Sequence, residues 1–458
     1  MSSAAVRLER LPFSAFHWKL LIIGGLGYTF DGLDSSSLAF ILPVVSKVWH
    51  FSSVQTGLVA SSTYIGYFFG AFLSGVLADV IGRRKIMMSA LAVYCAASLA
   101  SALVNDWHVF FAFRVCAGFG SGAEAAVIVP FLAEFVPRRY RGIFCGGVVA
   151  FFSFGYLSSA ILGYVVVRNF AEGWRIIAVI TALPVVMLLW WRRSLPESPR
   201  WLESRGRQKE ANEILAGIEK TVAGDGQLAP LPAPATDVSD PPSRAGSMLS
   251  NIAFLWSRQL AGRTALSWTM WFSVAFSYYA FFSWIPSLLV KHGMTITRSF
   301  GYSIAIYAAQ VPGYFSAAYL NEKLDRKGVV ASYMVCGGLS ALALAMAHTE
   351  LQILVAGIFL SFFMNGTFAG VYAYTPELFP TTVRTTGTGS SSSFGRIGSV
   401  SAPILVGYMY PPYGFAGVFG MTTVVLLIGA GIVFFFGIPT RGRTLEDITS
   451  DKVRSQHA

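Results

Sequence analysis

Charge is the scarcest property of this 458-residue chain. Only 12% of it is Asp, Glu, Lys or Arg, against about a quarter in ordinary soluble domains. So few charges cannot cover a water-exposed surface, which excludes a soluble globular protein. Cysteine is also sparse. Cys95, Cys116, Cys145 and Cys336 all fall within apolar runs, at spacings that suit neither a zinc site nor a disulfide framework, and they read as buried small hydrophobes. A Walker-type glycine loop, a cluster of metal ligands and a Ser-His-Asp constellation are all missing from the sequence. The chain is therefore expected not to be an enzyme, and to need no cofactor and no metal. The start shows no cleavable signal pattern either, since the apolar run after Arg7 and Arg10 is too long and leads into further runs.

Apolar residues are abundant: 54% of the chain is hydrophobic and 15% aromatic. Nearly uncharged stretches such as Ile353–Ala373 and Met421–Ile438 have about the 20 residues that a helix needs to cross the hydrocarbon core. The pattern predicts an all-α membrane protein with about twelve spans. They lie near residues 20–45, 54–78, 86–104, 108–136, 142–168 and 174–191, then 264–290, 299–320, 329–348, 351–379, 385–410 and 414–438. A polar stretch separates the two sets. Trp201 to Lys220 has the spacing of an amphipathic surface helix, and Gly224 to Ser247, rich in Pro, Ala, Asp, Ser and Gly, reads as a flexible linker. The expected organisation is a first six-helix bundle over 1–192, a linker over 193–262, a second bundle over 263–440 and a tail over 441–458.

The net charge of +11 does not point to nucleic acid, because the positive residues are confined to particular loops rather than spread along one aromatic-rich face. Arg83, Arg84 and Lys85, then Arg138, Arg139 and Arg141, then Lys323, Arg326 and Lys327 fall on one side. The N-terminus, the linker and Arg441 and Arg443 of the tail share it. The opposite loops hold little beyond Lys47, Arg168, Lys291 and Arg298. By the positive-inside bias, both ends lie in the cytoplasm.

The sequence also repeats itself. Gly75–Arg84 aligns with Ala318–Lys327, placing Asp79 on Glu322 (322 − 79 = 243), and Glu134–Arg141 aligns with Glu377–Arg384 (377 − 134 = 243). Two separate motifs in one gapless register imply two parallel structural repeats around a midplane site. The charges at these helix ends (Asp79, Arg83, Glu134 and Arg141, with Glu322, Arg326, Glu377 and Arg384) are candidates for a conformational gate that bridges the bundles in one state and parts in another. The alternative is that they only set topology, which is the reading for Arg84 and Lys85.

Gly75–Arg84 resembles the loop signature of the major facilitator superfamily. Pro196–Leu202 and Tyr374–Pro380 with Arg384–Gly389 are similar to segments of its sugar porters and organic-ion transporters. Phe276–Ser287, Ala309–Ala318 and Phe394–Gly398 resemble bacterial niacin transporters, and Asp31-Gly-Leu-Asp34 is similar to the first-helix signature of aromatic-acid:proton symporters. Ile438-Pro-Thr-Arg-Gly442 departs from the Pro-Glu-Thr-Lys-Gly ending of sugar porters, which weakens a sugar assignment. The resemblance implies the major facilitator fold in a bacterial inner membrane. It also implies uptake of nicotinate or another small aromatic carboxylate, with protons as partners, by a monomer in the lipid bilayer.

An ionisable side chain inside a bilayer is a functional hypothesis by default. Arg396 falls near mid-membrane between Gly395 and Gly398 and needs a carboxylate, either that of a substrate or that of Glu124. Asp31 and Asp34 share one helix face, and Glu124 sits within Gly-Ser-Gly-Ala-Glu-Ala. One of the three is a candidate for proton coupling, whereas Asp34 capping a helix break, or Glu124 merely neutralising Arg396, is the structural alternative. Tyr278, Tyr279 and Phe282 offer stacking surface for an aromatic ring, and the amides of Gln310 and Asn365 can bond a substrate heteroatom or only another helix. Trp190, Trp191 and Trp284 read as interfacial or packing residues. Transport of a sugar or organic cation, drug efflux, and a transporter-like sensor remain the competing functions.

Overall fold

The computed structural model describes residues 4–223, 248–380 and 383–440, except the side chains of Val76, Asp79, Leu189, Arg192, Met248, Leu249 and Asn251. The flexible segment expected at Gly224 to Ser247 and the tail over 441–458 thus lie outside the described residues. Every regular element among those described is helical. In chain order these are α1 (Ala4–Glu9), α2 (Ala15–Val48), α3 (Ser53–Ile81), α4 (Arg83–Leu103), α5 (Trp107–Ala133) and α6 (Arg138–Leu162), which runs on into a π-helical turn. Next come α7 (Gly173–Thr181), α8 (Val185–Ser194), α9 (Pro199–Ser204), α10 (Gln208–Ala223) and α11 (Met248–Leu255). The rest are α12 (Ala261–Phe282), α13 (Ile285–Lys291), α14 (Ile296–Ala308), α15 (Gln310–Lys323), α16 (Arg326–Ala345), α17 (Glu350–Tyr374) and α18 (Arg384–Phe436).

Local chemistry explains several boundaries. Asp106 caps α5 by accepting from the amides of His108 and Val109 at 2.9 and 3.0 Å, and those amides hold its carboxyl below the usual range. Thr349 and Gln352 form a capping box at the start of α17. Between α3 and α4 the chain turns at Gly82, whose φ of 113° is a conformation that favours glycine.

Six of these helices are long and apolar enough to cross a membrane, or seven if α12 and α13, bent by 48° at Ser283 and Trp284, count as one span. The protein is multi-pass. The expected span at 174–191 is divided into α7 and α8, and that at 299–320 into α14 and α15 at Ala309. α18 merges the last two expected spans across a break at Gly414. The outward faces carry large apolar side chains, among them Phe72, Ile143, Leu351 and Phe435, as lipid contact requires. Cys116 is also exposed, so the expectation that all four cysteines are buried holds in full only for Cys95. On an outer helix face a thiol meets lipid as readily as protein.

The chain divides into two compact units, Met1–Leu38 with Ser62–Ser239, and Ala39–Ser61 with Asp240–Ala458. In the first unit α3 and α5 pack backbone to backbone, and a Cβ on Gly118 would overlap the carbonyl of Thr63. Only glycine permits that approach. Trp191 and, in the second unit, Trp284 are fully buried packing residues, whereas Trp190 is 36% exposed. The expected surface helix is two pieces, α9 and α10, separated at Gly206 with φ 73°.

Candidate functional site

In the first unit α2 and α5 run antiparallel along a polar seam. Asp34 meets Arg114, Asp31 meets Ser121, Tyr28 meets Ala125, and Gly27 lies beside Glu124. At the first level the Arg114 guanidinium donates to both Asp34 carboxylate oxygens, at 3.0 and 2.9 Å. It also donates to the Thr63 hydroxyl at 3.2 Å, and Ser98 donates to Asp34 Oδ1 at 3.2 Å. Both charged side chains are 0% exposed. A two-pronged, fully buried pair of this kind fixes the helix register.

At the second level the Ser121 hydroxyl donates to Asp31 Oδ1. Glu124 is 3% exposed, and its Oε1 has no hydrogen-bond partner among the described residues. All three expected proton-coupling residues therefore lie on one seam, but in different settings. Arg114 itself escaped the sequence reading. An arginine within the span expected at 108–136 was a signal available from the sequence.

In the second unit Tyr278 donates to Gln310 Oε1 at 3.1 Å, while the Asn365 amide donates to the Gln310 carbonyl at 2.7 Å. Gln310 is 0% exposed and its Nε2 has no partner among the described residues. Around Tyr278 stand Phe282, Phe368 and Tyr279, with ring centroids at 4.4, 5.0 and 5.2 Å. The structure thus assembles five of the six expected substrate-binding residues and adds Phe368. Phe368 leads on to Tyr372 at 6.3 Å, and Tyr372 lies within electrostatic reach of Arg396. Arg396 is half-buried on α18, and two residues before it Phe394 stacks on Trp268 at 4.6 Å. A run of rings, Tyr278, Phe368 and Tyr372, therefore extends from the amide pair to within electrostatic reach of the Arg396 guanidinium.

The helix-end charges pair inside each unit. Arg83 binds Glu134 at 3.3 Å in the first, and Arg326 binds Glu377 in the second. The two pairs are equivalent by the repeat: 326 − 83 = 243 and 377 − 134 = 243. Glu134 also accepts from Ser198, and Glu197 accepts from the Arg84 amide at 3.1 Å, so the Pro-Glu-Ser-Pro segment clasps the same corner. Arg141 goes elsewhere, donating to the carbonyls of Ala133 and Val136 and pairing with Glu9 at 3.5 Å. Glu322 is exposed and Arg384 half-buried, and the Asp79 side chain lies outside the described residues. Nearby, α1 docks on α10: Arg7 and Arg10 bind Glu219 at 2.6 and 2.7 Å, and Arg7, with Arg10 behind it, holds the Glu219 carboxyl below its ordinary range.

Residues 24–451 match the family described as sugar (and other) transporter. The chain is 38% identical to the niacin transporter NiaP of Acinetobacter baylyi over 96% of this chain and 98% of that one. It is 33% identical to the putative niacin/nicotinamide transporter NiaP of Bacillus subtilis, over 93% of this chain and 98% of the relative. The partially occluded, inward-open xylose transporter XylE from E. coli matches with a TM-score of 0.75 and 17% identity, over 94% of this chain and 100% of that one. At that identity the likeness speaks for the fold alone.

Proposed function

The chain belongs to the sugar (and other) transporter family, within the major facilitator superfamily, and we propose that it imports a small aromatic carboxylate, nicotinate preferred, together with protons. In this reading it works as a monomer with twelve spans and both ends in the cytoplasm, in a bacterial inner membrane. The domain layout is a bundle over 1–192, a linker over 193–262, a bundle over 263–440 and a tail over 441–458. The observation that carries the substrate reading is the run of rings from Gln310 toward Arg396. A flat ring stacks among Tyr278, Phe282 and Phe368. Gln310 Nε2, already turned away from the Tyr278 hydroxyl, donates to a ring acceptor such as a pyridine nitrogen, and Asn365 holds the Gln310 backbone. Arg396 takes the carboxylate.

Proton coupling rests on Asp34 and Arg114. While Asp34 is ionised, the guanidinium is locked to it. A proton arriving on Asp34 cancels that attraction, frees Arg114 and loosens the α2–α5 register, so the barrier to the other access state falls only when the proton is present. The Arg83–Glu134 and Arg326–Glu377 pairs, with Asp79, Arg141, Glu322 and Arg384 around them, close the cytoplasmic side in one state and open in the other. A benzoate-type acid is the second reading, favoured by Asp31 and Asp34 in their Asp-Gly-Leu-Asp setting. Labelled nicotinate, benzoate and glucose, offered at two external pH values to cells lacking their own carriers, separate these readings. Nicotinate is taken up fastest, and faster at the lower pH. Glucose uptake without aromatic-acid uptake contradicts the proposal.

A further inference from the structure

The α2–α5 seam holds more acid than the Asp34–Arg114 pair requires. Asp34 is balanced by Arg114 through two hydrogen bonds. Glu124 is not balanced: it is 3% exposed, forms no ion pair among the described residues, and its Oε1 has no donor. An isolated carboxylate in such a place costs several kcal/mol on an order-of-magnitude basis, so the site must hold a cation or a proton. Asp31 on α2 lies within electrostatic reach of Glu124, as do Tyr94 and Cys95 of α4. Gly27 of α2 lies against it, and the same face of Gly27 meets Ile128 of α5 and Trp191 of α8, whose Nε1 also has no partner among the described residues. Every ionisable member of that set is an acid, and Arg114 is spent on Asp34.

We propose that Glu124, with Asp31 and its Ser121 hydrogen bond, forms a second proton-binding site separate from Asp34–Arg114, so that each substrate carboxylate crosses with two protons and transport carries one net positive charge. The inference rests on the proton-coupled reading above. The charge balance is explicit: one carboxylate contributes −1, one proton on Asp34 and one on the Asp31–Glu124 level contribute +2, and the sum is +1. One turn separates Asp31 from Asp34 along α2, so the two levels load from the same seam. Glu124 as a permanently protonated structural acid would give +1 − 1 = 0, an electroneutral cycle.

The test uses the full-length protein in liposomes, with labelled nicotinate flux and charge movement measured together under potassium diffusion potentials, with and without sodium. The expected result is one positive charge per nicotinate and faster uptake with the inside negative. Glu124→Gln shifts the ratio toward zero charge, while Glu124→Asp, which keeps a carboxyl, retains it. Electroneutral uptake in the unaltered protein, a ratio that Glu124→Gln leaves at one, or charge movement that requires sodium overturns the proposal. The measurement on the unaltered protein stands even if the variants fail to fold. Complete absence of proton-driven nicotinate uptake counts against the underlying function, whereas proton-driven but electroneutral uptake counts against the second site alone.

Discussion

Arg114 grips both carboxylate oxygens of Asp34, at 3.0 and 2.9 Å, with neither side chain exposed. The pair ties α5 to α2, and in the proposed reading it links stability to coupling.

Removing one partner leaves the other charge buried alone. Arg114→Ala is expected to destabilise the protein by about 3–5 kcal/mol, seen as a lower unfolding temperature in detergent. Asp34→Asn with Arg114→Gln, which removes both charges, recovers much of that loss. The double variant still exchanges substrate across the membrane but loses the proton carried on Asp34, so it accumulates less substrate than the unaltered protein. Accumulation by the double variant equal to that of the unaltered protein, measured as labelled nicotinate in energised vesicles, would refute the role of the pair.

In the proposed reading Arg396 supplies the charge for the substrate carboxylate. Charge-assisted hydrogen bonds contribute about 1.5–3 kcal/mol, so Arg396→Ala should weaken nicotinate binding roughly 10- to 100-fold. The neutral amide analogue should lose little. Equal losses for acid and amide, in a binding assay on purified protein, would mean that Arg396 only supports the fold.

The Arg83–Glu134 and Arg326–Glu377 pairs are partly exposed, so each contributes only roughly 0–1 kcal/mol to stability. Their effect should fall on rate. Glu377→Arg is expected to cut uptake at least tenfold with little change in unfolding temperature, and adding Arg326→Glu should restore part of it. An unimpaired Glu377→Arg transporter rules out a gate at this corner.

Docking of α1 on α10 depends on an ionised Glu219. Because the folded-state carboxyl titrates below its ordinary range, the contact is fully formed above the unfolded value and is lost as the pH falls through the folded one. Amide protection in residues 4–9, corrected for the intrinsic pH dependence of exchange, should therefore fall at acid pH, and Glu219→Gln should show that weaker protection at neutral pH. Protection that does not change with pH in the unaltered protein and is the same in Glu219→Gln sinks this account.

Much of this arrangement was legible in the chain. The 243-residue shift, read from Asp79 with Glu322 and Glu134 with Glu377, also relates the two ion pairs that the structure contains. The Tyr278–Phe282 cluster and the Gln310 and Asn365 amides were recognisable because polar and stackable groups stand out in apolar helices. Arg114 was a different case. It sits in a run of aromatic and small residues, and its partner Asp34 lies 80 positions away, so pairing across helices has no local signature. Helix breaks at Ala309 and at Ala182–Pro184 were equally hidden. Hydropathy averages over such interruptions, and packing decides where they fall.

Proton-driven accumulation is the claim on which the account depends most. With the purified protein in liposomes, buffered more alkaline inside than outside, labelled nicotinate should rise inside above its external concentration. A protonophore should return it to the external level. Accumulation that persists after the gradient has collapsed would contradict the account.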